Sequence, residues 1–343
     1  MRHVPVLLTE VLDLLQPKSG QNFIDCTLGD AGHAEAILEK TSPNGKLLGI
    51  DADPESLLRA KQNLYRFEGR AVFARDNFVN LTKIIAEHNF GPVNGILLDL
   101  GWSSPQFEER GRGFSFEGDE PLDMRYDPNC HSERGLAADE ESRNKTTTRS
   151  LDYARDDNYV GQRSFTTFRM TSGTAADVVN NYSESELIRI FKLYGEEKLS
   201  SEIAGAIVEE RKDNPIERTK QLVKIILDVY RTKLHSEKDI PWIGGLHPAT
   251  KVFQALRIEV NHELEVLKQA LPQAVEALAP QGRLAVISFH SLEDRIVKQY
   301  FQKIAGSHIK VITKKPVVAT DAEARENPRA RSAKLRVVEK LIS

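Results

Sequence analysis

The stretch best equipped for chemistry is residues 95–106, Gly-Ile-Leu-Leu-Asp-Leu-Gly-Trp-Ser-Ser-Pro-Gln. Residues 96–98 read as a buried parallel strand. The strand stops at an acid, Asp99, and breaks into a loop of glycine, hydroxyls and proline. In open α/β sheets ligands sit beyond the carboxyl ends of the strands, so reacting groups belong here. The loop has no Cys nucleophile, no His pair and no phosphate-cradling Gly-Lys. Asp99, Ser103, Ser104 and the carbonyls before Pro105 offer acceptors on a shaped turn instead. That suits a reaction driven by positioning, although serines in such a loop equally make turns.

A second candidate is the glycine-rich turn Gly29-Asp30-Ala31-Gly32-His33, with Asp53 about 20 residues on, where an acid binds ribose hydroxyls. As a pattern the turn is weak, because several nucleotides use one. Asp30 sharpens it: a pyrophosphate would meet a carboxylate at the helix N-terminus that ought to bind it. S-adenosylmethionine (SAM) carries an ammonium and a sulfonium and no phosphate, so it tolerates the acid. No Gly-Lys-Ser/Thr follows, which excludes a P-loop. Asp30 also suits a helix N-cap, His33 a polar first turn, and Phe78 either adenine stacking or the core. Towards the C-terminus, His290, Ser291, Asp294 and Arg295 follow an apolar run, and Asn327, Arg329 and Arg331 precede another. The arginines read as phosphate or base contacts or as partners of nearby acids.

The elements that must position these groups follow from periodicity. Helices are expected over 6–15, 34–40, 55–64 and 81–88, alternating with strands over 22–27, 46–50, 71–74 and 96–98. That alternation predicts a parallel sheet with helices on both faces. It resumes with a long helix over 249–278, a strand over 282–289 and a helix over 291–304. Strand-like pieces over 309–313 and 335–341 suggest an antiparallel hairpin edge, the arrangement of SAM methyltransferases rather than dehydrogenases. The expected fold is therefore a doubly wound, Rossmann-like α/β sheet with an antiparallel final strand, formed by 1–106 and 247–343. Between them, 107–246 reads as an inserted helical domain for substrate recognition, with helices over 184–194, 196–211 and 217–232. Within it, 129–169 is polar and aperiodic, and reads as a disordered extra segment.

With 343 residues there is room for two domains or one elaborated one. Two cysteines, Cys26 and Cys130, exclude a disulfide framework and a Cys-rich zinc site; no metal site is expected. No apolar run approaches the ~20 residues of a membrane span, and the N-terminus lacks a signal-peptide pattern. The expected location is cytoplasmic, with no membrane partner. At a net charge of −3, nucleic-acid binding must rest on a local patch, such as the run of Lys and Arg within 314–336.

At this point the residues resemble a family. Thr27-Leu-Gly-Asp-Ala-Gly-His33, Ile50-Asp-Ala-Asp-Pro54 and Leu97-Leu-Asp-Leu-Gly-Trp-Ser-Ser-Pro-Gln106 are similar to blocks of the bacterial 16S rRNA cytosine-N4 methyltransferases. So are Arg112-Gly-Phe-Ser-Phe116, Pro121-Leu-Asp-Met-Arg125, His247-Pro-Ala-Thr250 and Phe253-Gln-Ala-Leu-Arg257. Ile287-Ser-Phe-His-Ser-Leu-Glu-Asp-Arg295 and Asn327-Pro-Arg-Ala-Arg331 complete the set. The resemblance implies SAM-dependent methylation of a cytidine N4 amine in the decoding region of 16S rRNA, within the small ribosomal subunit. It places the SAM contacts on Ala31, Gly32, His33, Asp53, Phe78, Asp99 and Gln106. A homodimer is compatible with the chain, whose sequence does not fix an oligomeric state.

The chain departs from the family twice. The family reads Gly-Gly-His where this chain has Ala31-Gly32-His33, and a methyl there is acceptable only if residue 31 keeps φ below zero. Otherwise SAM affinity falls. The second departure is 129–169, since the family runs almost directly from Met-Arg-x-Asp-Pro to Thr-Ala-Ala-Asp. Attack by an exocyclic amine also fits the cysteines. C5 methylation of cytosine normally needs a Cys nucleophile, but Cys26 lies on the first strand and Cys130 in the extra segment. Two rivals stay open: a SAM methyltransferase acting on DNA or a small molecule, and a SAM-binding ribosome-assembly factor without turnover.

Overall fold

Strand residues that are apolar on both faces need helices on both sides of their sheet, and the chain supplies them. A computed structural model describes residues 4–100, 111–126, 173–235 and 246–342. Its strands are β1 (Phe23–Asp25), β2 (Leu47–Asp51), β3 (Ala71–Arg75), β4 (Val93–Asp99), β5 (Leu278–Ser288), β6 (Ile309–Val311) and β7 (Lys334–Lys340). They form one sheet in the order β3-β2-β1-β4-β5-β7-β6. β1 to β5 run parallel and β7 lies antiparallel to both neighbours. The chain winds outward one way from β1 and the other way from β4. The switch point between them opens the crevice in which such sheets bind ligands.

One face is covered by α1 (Leu8–Leu15), α2 (Gly32–Lys40) and α3 (Pro54–Asn63), packed on Phe23, Leu47, Leu97 and Ile287. On the other face lie α4 (Leu81–Glu87), α10 (Glu263–Ala277) and α11 (Ser291–Ile304), packed on Ile24, Leu48, Ile96 and Val286. Alternate residues of each strand thus feed opposite cores, as a period of two requires.

The interruption after β4 is a second, helical core. It contains α5 (Ala175–Asn181), α6 (Glu184–Leu193), α7 (Ser200–Glu210), α8 (Thr219–Leu234) and α9 (Thr250–Asn261). Ser183 and Glu186 form a capping box that starts α6. The helix expected over 249–278 is two helices. His262 takes a left-handed φ of 51° between α9 and α10. The break lets α9 turn Val252, Leu256 and Val260 into the helical core while α10 lays Leu267 and Leu271 on the sheet. The helical core therefore reaches past 246, to the end of α9. A final short helix, α12 (Asp321–Glu326), lies in the stretch read as a basic patch. That patch also loses Arg336, which is buried. The extra segment 129–169 lies outside the described residues.

Candidate active site

The loop between β1 and α2 is held from two neighbouring strands. Leu28 N–H donates to the Ile50 carbonyl at 2.9 Å, and Gly29 N–H donates to Asp51 Oδ2 at 2.9 Å. Thr27 Oγ1 accepts the Asp99 N–H at 2.7 Å, tying the loop to the end of β4. Pro5 sits so close to Gly32 that a Cβ there would meet its Cγ at 2.4 Å, so only glycine fits. Ala31 is different: its φ is +65°, in the left-handed region. The condition on its methyl is not met, and the residue carries strain of roughly 1–2 kcal/mol. His33 is buried, with Nε2 2.9 Å from the Val6 carbonyl and Nδ1 3.6 Å from Asp99 Oδ2. A carbonyl only accepts, so Nε2 carries a proton.

Asp53 caps α3, accepting the Ser56 N–H at 3.0 Å and its hydroxyl at 2.7 Å. Phe78 opens a short 3-10 turn capped by Asn77. These groups line one cavity together with Asp30, Asp51, Asp76 and Asp99, and with Glu263 and Glu293 at its far side. Among the described lining residues only His33 and Arg329 can be cationic. Such a donor set repels a pyrophosphate and accepts an ammonium and a sulfonium, so SAM fits and a dinucleotide does not. Beneath the loop, burial pushes the Asp25 carboxyl up to about 7; the Thr27 N–H opposes this, and Asp99 and Asp51 add to it. Burial also pushes the Cys26 thiol well up, which keeps it protonated and a poor nucleophile.

A second cavity, of about 330 Å³, is lined by the rings of Phe114, Phe116, Phe253 and Phe289 and by Arg257 and His290. Leu100, Phe289, Glu293 and Arg329 belong to both cavities, so the two share a wall. Phe116 stacks on His247 with centroids 4.5 Å apart. His290 caps α11: its Nδ1 accepts the Glu293 N–H at 3.4 Å, and Glu293 Oε2 accepts the Phe289 N–H at 2.8 Å. Glu263 is gripped by Arg257 at 2.8 and 3.0 Å and accepts the Tyr126 hydroxyl at 2.7 Å. Burial, reinforced by Glu263, raises the Tyr126 phenol well above its usual range.

The model of the MraW methylase family matches residues 1–150 and 166–341. The chain belongs to that family. Ribosomal RNA small subunit methyltransferase H of Heliobacterium mobile is 40% identical to it over 356 residues, covering 99% of both chains. The protein of the same name from Geobacter sulfurreducens is 42% identical over 358 residues, again covering 99% of both. That from Heliobacterium modesticaldum is 41% identical, covering 99% of this chain and 98% of its own. The methyl donor is SAM, whose ammonium and sulfonium suit an acid-lined cavity.

For a member of the MraW family, the expected donor and base contacts can be placed against the two cavities. Gly32, His33, Asp53, Phe78 and Asp99 all line the first cavity. Ala31 is buried at the base of α2, below that lining. Ser103, Ser104, Pro105 and Gln106 lie outside the described residues. On the substrate side, His290 lines the second cavity and Arg329 lines both. Five expected contacts line neither. Asp294 instead clamps α11 to β7 through Arg336, at 2.6 and 3.2 Å. Burial alone would raise its carboxyl, but Arg336 and the nearby lysines hold it below the usual range. Arg295 pairs with Glu196 at 3.5 Å, and Ser291 is exposed. Asn327 donates to the Val4 carbonyl and Arg331 to that of Ala324, each at 3.2 Å. Sequence reasoning missed Asp51, Tyr126, Glu263 and Glu293. One signal was available: His290 and Glu293 have capping-box spacing, which turns Glu293, not Asp294, back towards the strand end.

Proposed function

We propose that this chain transfers a methyl group from SAM to the exocyclic N4 amine of a cytidine in the decoding region of 16S rRNA, acting in the cytoplasm on the small ribosomal subunit. The observation that carries this reading is the wall shared by an acid-lined cavity and an aromatic one. Full-length relatives named for methylation of small-subunit ribosomal RNA supply the substrate class. Among the described residues no helix is long and apolar enough to cross a membrane.

When bound, SAM supplies an electrophilic methyl: the amine lone pair takes the carbon, the C–S pair returns to sulfur, and the amine sheds one proton. The residues that would hold SAM are Asp53, Phe78, His33 and Asp99. Asp53 is rigid because α3 fixes its carboxylate, and Asp99 because the loop after β1 fixes its backbone. The aromatic rings of the second cavity give an unstacked base a surface to lie on. Cys26, buried and protonated, supports amine methylation over a route through a cysteine adduct. Ser103, Ser104 and Pro105, as groups acting on the amine, and Gln106, as a donor contact, stay in the proposal on the sequence and its family resemblance alone, since they lie outside the described residues.

Transfer of radiolabelled methyl to isolated small subunits, followed by nucleoside digestion, tests the reading. Label in N4-methylcytidine is the expected result; label in another nucleoside, or none, contradicts it. One observation favours a second reading, a factor that binds SAM and RNA without turnover: the left-handed φ of Ala31 in the donor loop. Measurable SAM binding with no transferred label would select it.

A further inference from the structure

The shared wall holds two polar atoms that local structure leaves unused. Glu293 Oε2 accepts the N–H groups of Phe289 and His290 at 2.8 and 3.3 Å, whereas Oε1 accepts none among the described residues. On His290, Nδ1 accepts the Glu293 N–H at 3.4 Å. In the neutral ring the proton then belongs on Nε2, an assignment made from its partner. That Nε2 is buried and has no hydrogen-bond partner among the described residues. It stands 3.1 Å from Glu293 Oε1 but off the line of a hydrogen bond. The wall thus presents one donor and one acceptor side by side. An orphaned buried donor of this kind calls for a guest.

We propose that this pair reads the Watson–Crick edge of the target base. Cytosine N3 accepts from His290 Nε2, the N4 amine donates to Glu293 Oε1, and the ring lies among Phe114, Phe116 and Phe289. The inference rests on the cytidine-methylation reading and deepens it. Because Glu293 walls both cavities, the amine it accepts from faces the donor cavity. Uracil presents the opposite pattern, N3–H and O4, and would set donor against donor and acceptor against acceptor. A site built to hydrogen-bond one pattern rejects its inverse strongly. Adenine shares cytosine's pattern on a larger ring system.

A divalent cation is the competing occupant, since ligand atoms of Glu263, His290 and Glu293 lie within 4.8 Å of one another. Two features weigh against it. Arg257 already neutralises Glu263 through two hydrogen bonds, and the nitrogen a metal would take carries the proton.

The test uses the full chain and small subunits bearing cytidine, uridine or adenosine at the target position. Equilibrium binding is measured alongside methyl transfer. The parent is expected to bind cytidine subunits at least tenfold tighter than uridine or adenosine subunits. Glu293→Gln keeps an acceptor for the α11 cap but offers an amide hydrogen, so its preference for cytidine over uridine should shrink to within about twofold. His290→Asn keeps a good N-cap and removes the donor, and should lose the same preference. An unchanged melting temperature for both variants separates reading from folding, and the ratio of cytidine to uridine affinity cancels any common loss of donor binding, since Glu293 also lines the first cavity. If the parent methylates cytidine yet shows no preference, prefers adenosine, or both variants discriminate as it does, the inference fails and the function stands. Stoichiometric Mg²⁺ or Zn²⁺ binding to the parent, lost in Glu293→Gln with discrimination intact, also overturns it. A parent that methylates no cytidine overturns the functional reading itself.

Discussion

The first cavity draws most of its carboxylates from the ends of neighbouring strands, while the aromatic cavity gathers its lining from five separated stretches of chain, Leu100 among them. Asp51 and Asp99 end β2 and β4, and Asp53 and Asp76 lie within two residues of the ends of β2 and β3, so the parallel sheet places them without help from distant residues. Phe114 and Phe116, Phe253 and Arg257, Phe289 to Glu293, and Arg329 meet only once the helical core has docked. The contrast is also chemical. One end concentrates carboxylates and suits a cation; the other offers ring faces and a donor beside an acceptor. On the proposed reading, a cationic methyl donor and an uncharged base have separate places that meet at one wall.

The largest expected effect bears on the acidic side. Asp25 carries a pKa of about 7 in the fold against 3.8 for an ordinary aspartate. Its contribution to stability is complete below about pH 4, where both states are neutral, falls as the unfolded chain ionises, and reaches its floor above pH 7. Asp25→Asn keeps an acceptor for the Thr27 N–H. It should be more stable than the parent at pH 8 by on the order of 4 kcal/mol, with little difference at pH 4 in denaturant titrations. A gap that does not depend on pH would break the electrostatic side of the comparison.

On the aromatic side, Phe116→Ala should weaken binding of small subunits by about 1–3 kcal/mol, the worth of one stacked base, and leave SAM affinity unchanged by calorimetry. An equal loss of both affinities would mean the cavities are not separate. Asp53→Ala removes the cap of α3, at about 1 kcal/mol of stability, and weakens SAM binding. Asp53→Asn should keep the cap and lose only the affinity. The smallest effect is at Ala31: Ala31→Gly relieves the left-handed strain, worth about 1 kcal/mol less the loss of a buried methyl. It should raise SAM affinity severalfold without altering base preference.

Legibility in the sequence followed the same divide. The alternation of apolar runs and glycine turns pointed to the parallel sheet and the acid-tipped loops, because each strand and its loop are contiguous. It joined α9 to α10, since an unbroken helical period carries no sign that its two halves serve different cores; His262 breaks it with a backbone angle only. Asp294 and Arg336 show the other limit. Asp294 was expected at the substrate and Arg336 in the basic patch, but residues 42 apart in the chain satisfy each other across α11 and β7. Glu293 was overlooked for the converse reason, as its role at the helix start hid a second oxygen facing the cavities.

Nucleoside mass spectrometry of 16S rRNA from cells with and without this protein tests the central claim most directly. N4-methylcytidine at one decoding-region position should be present with the protein and absent without it. An unchanged level of N4-methylcytidine would contradict the account.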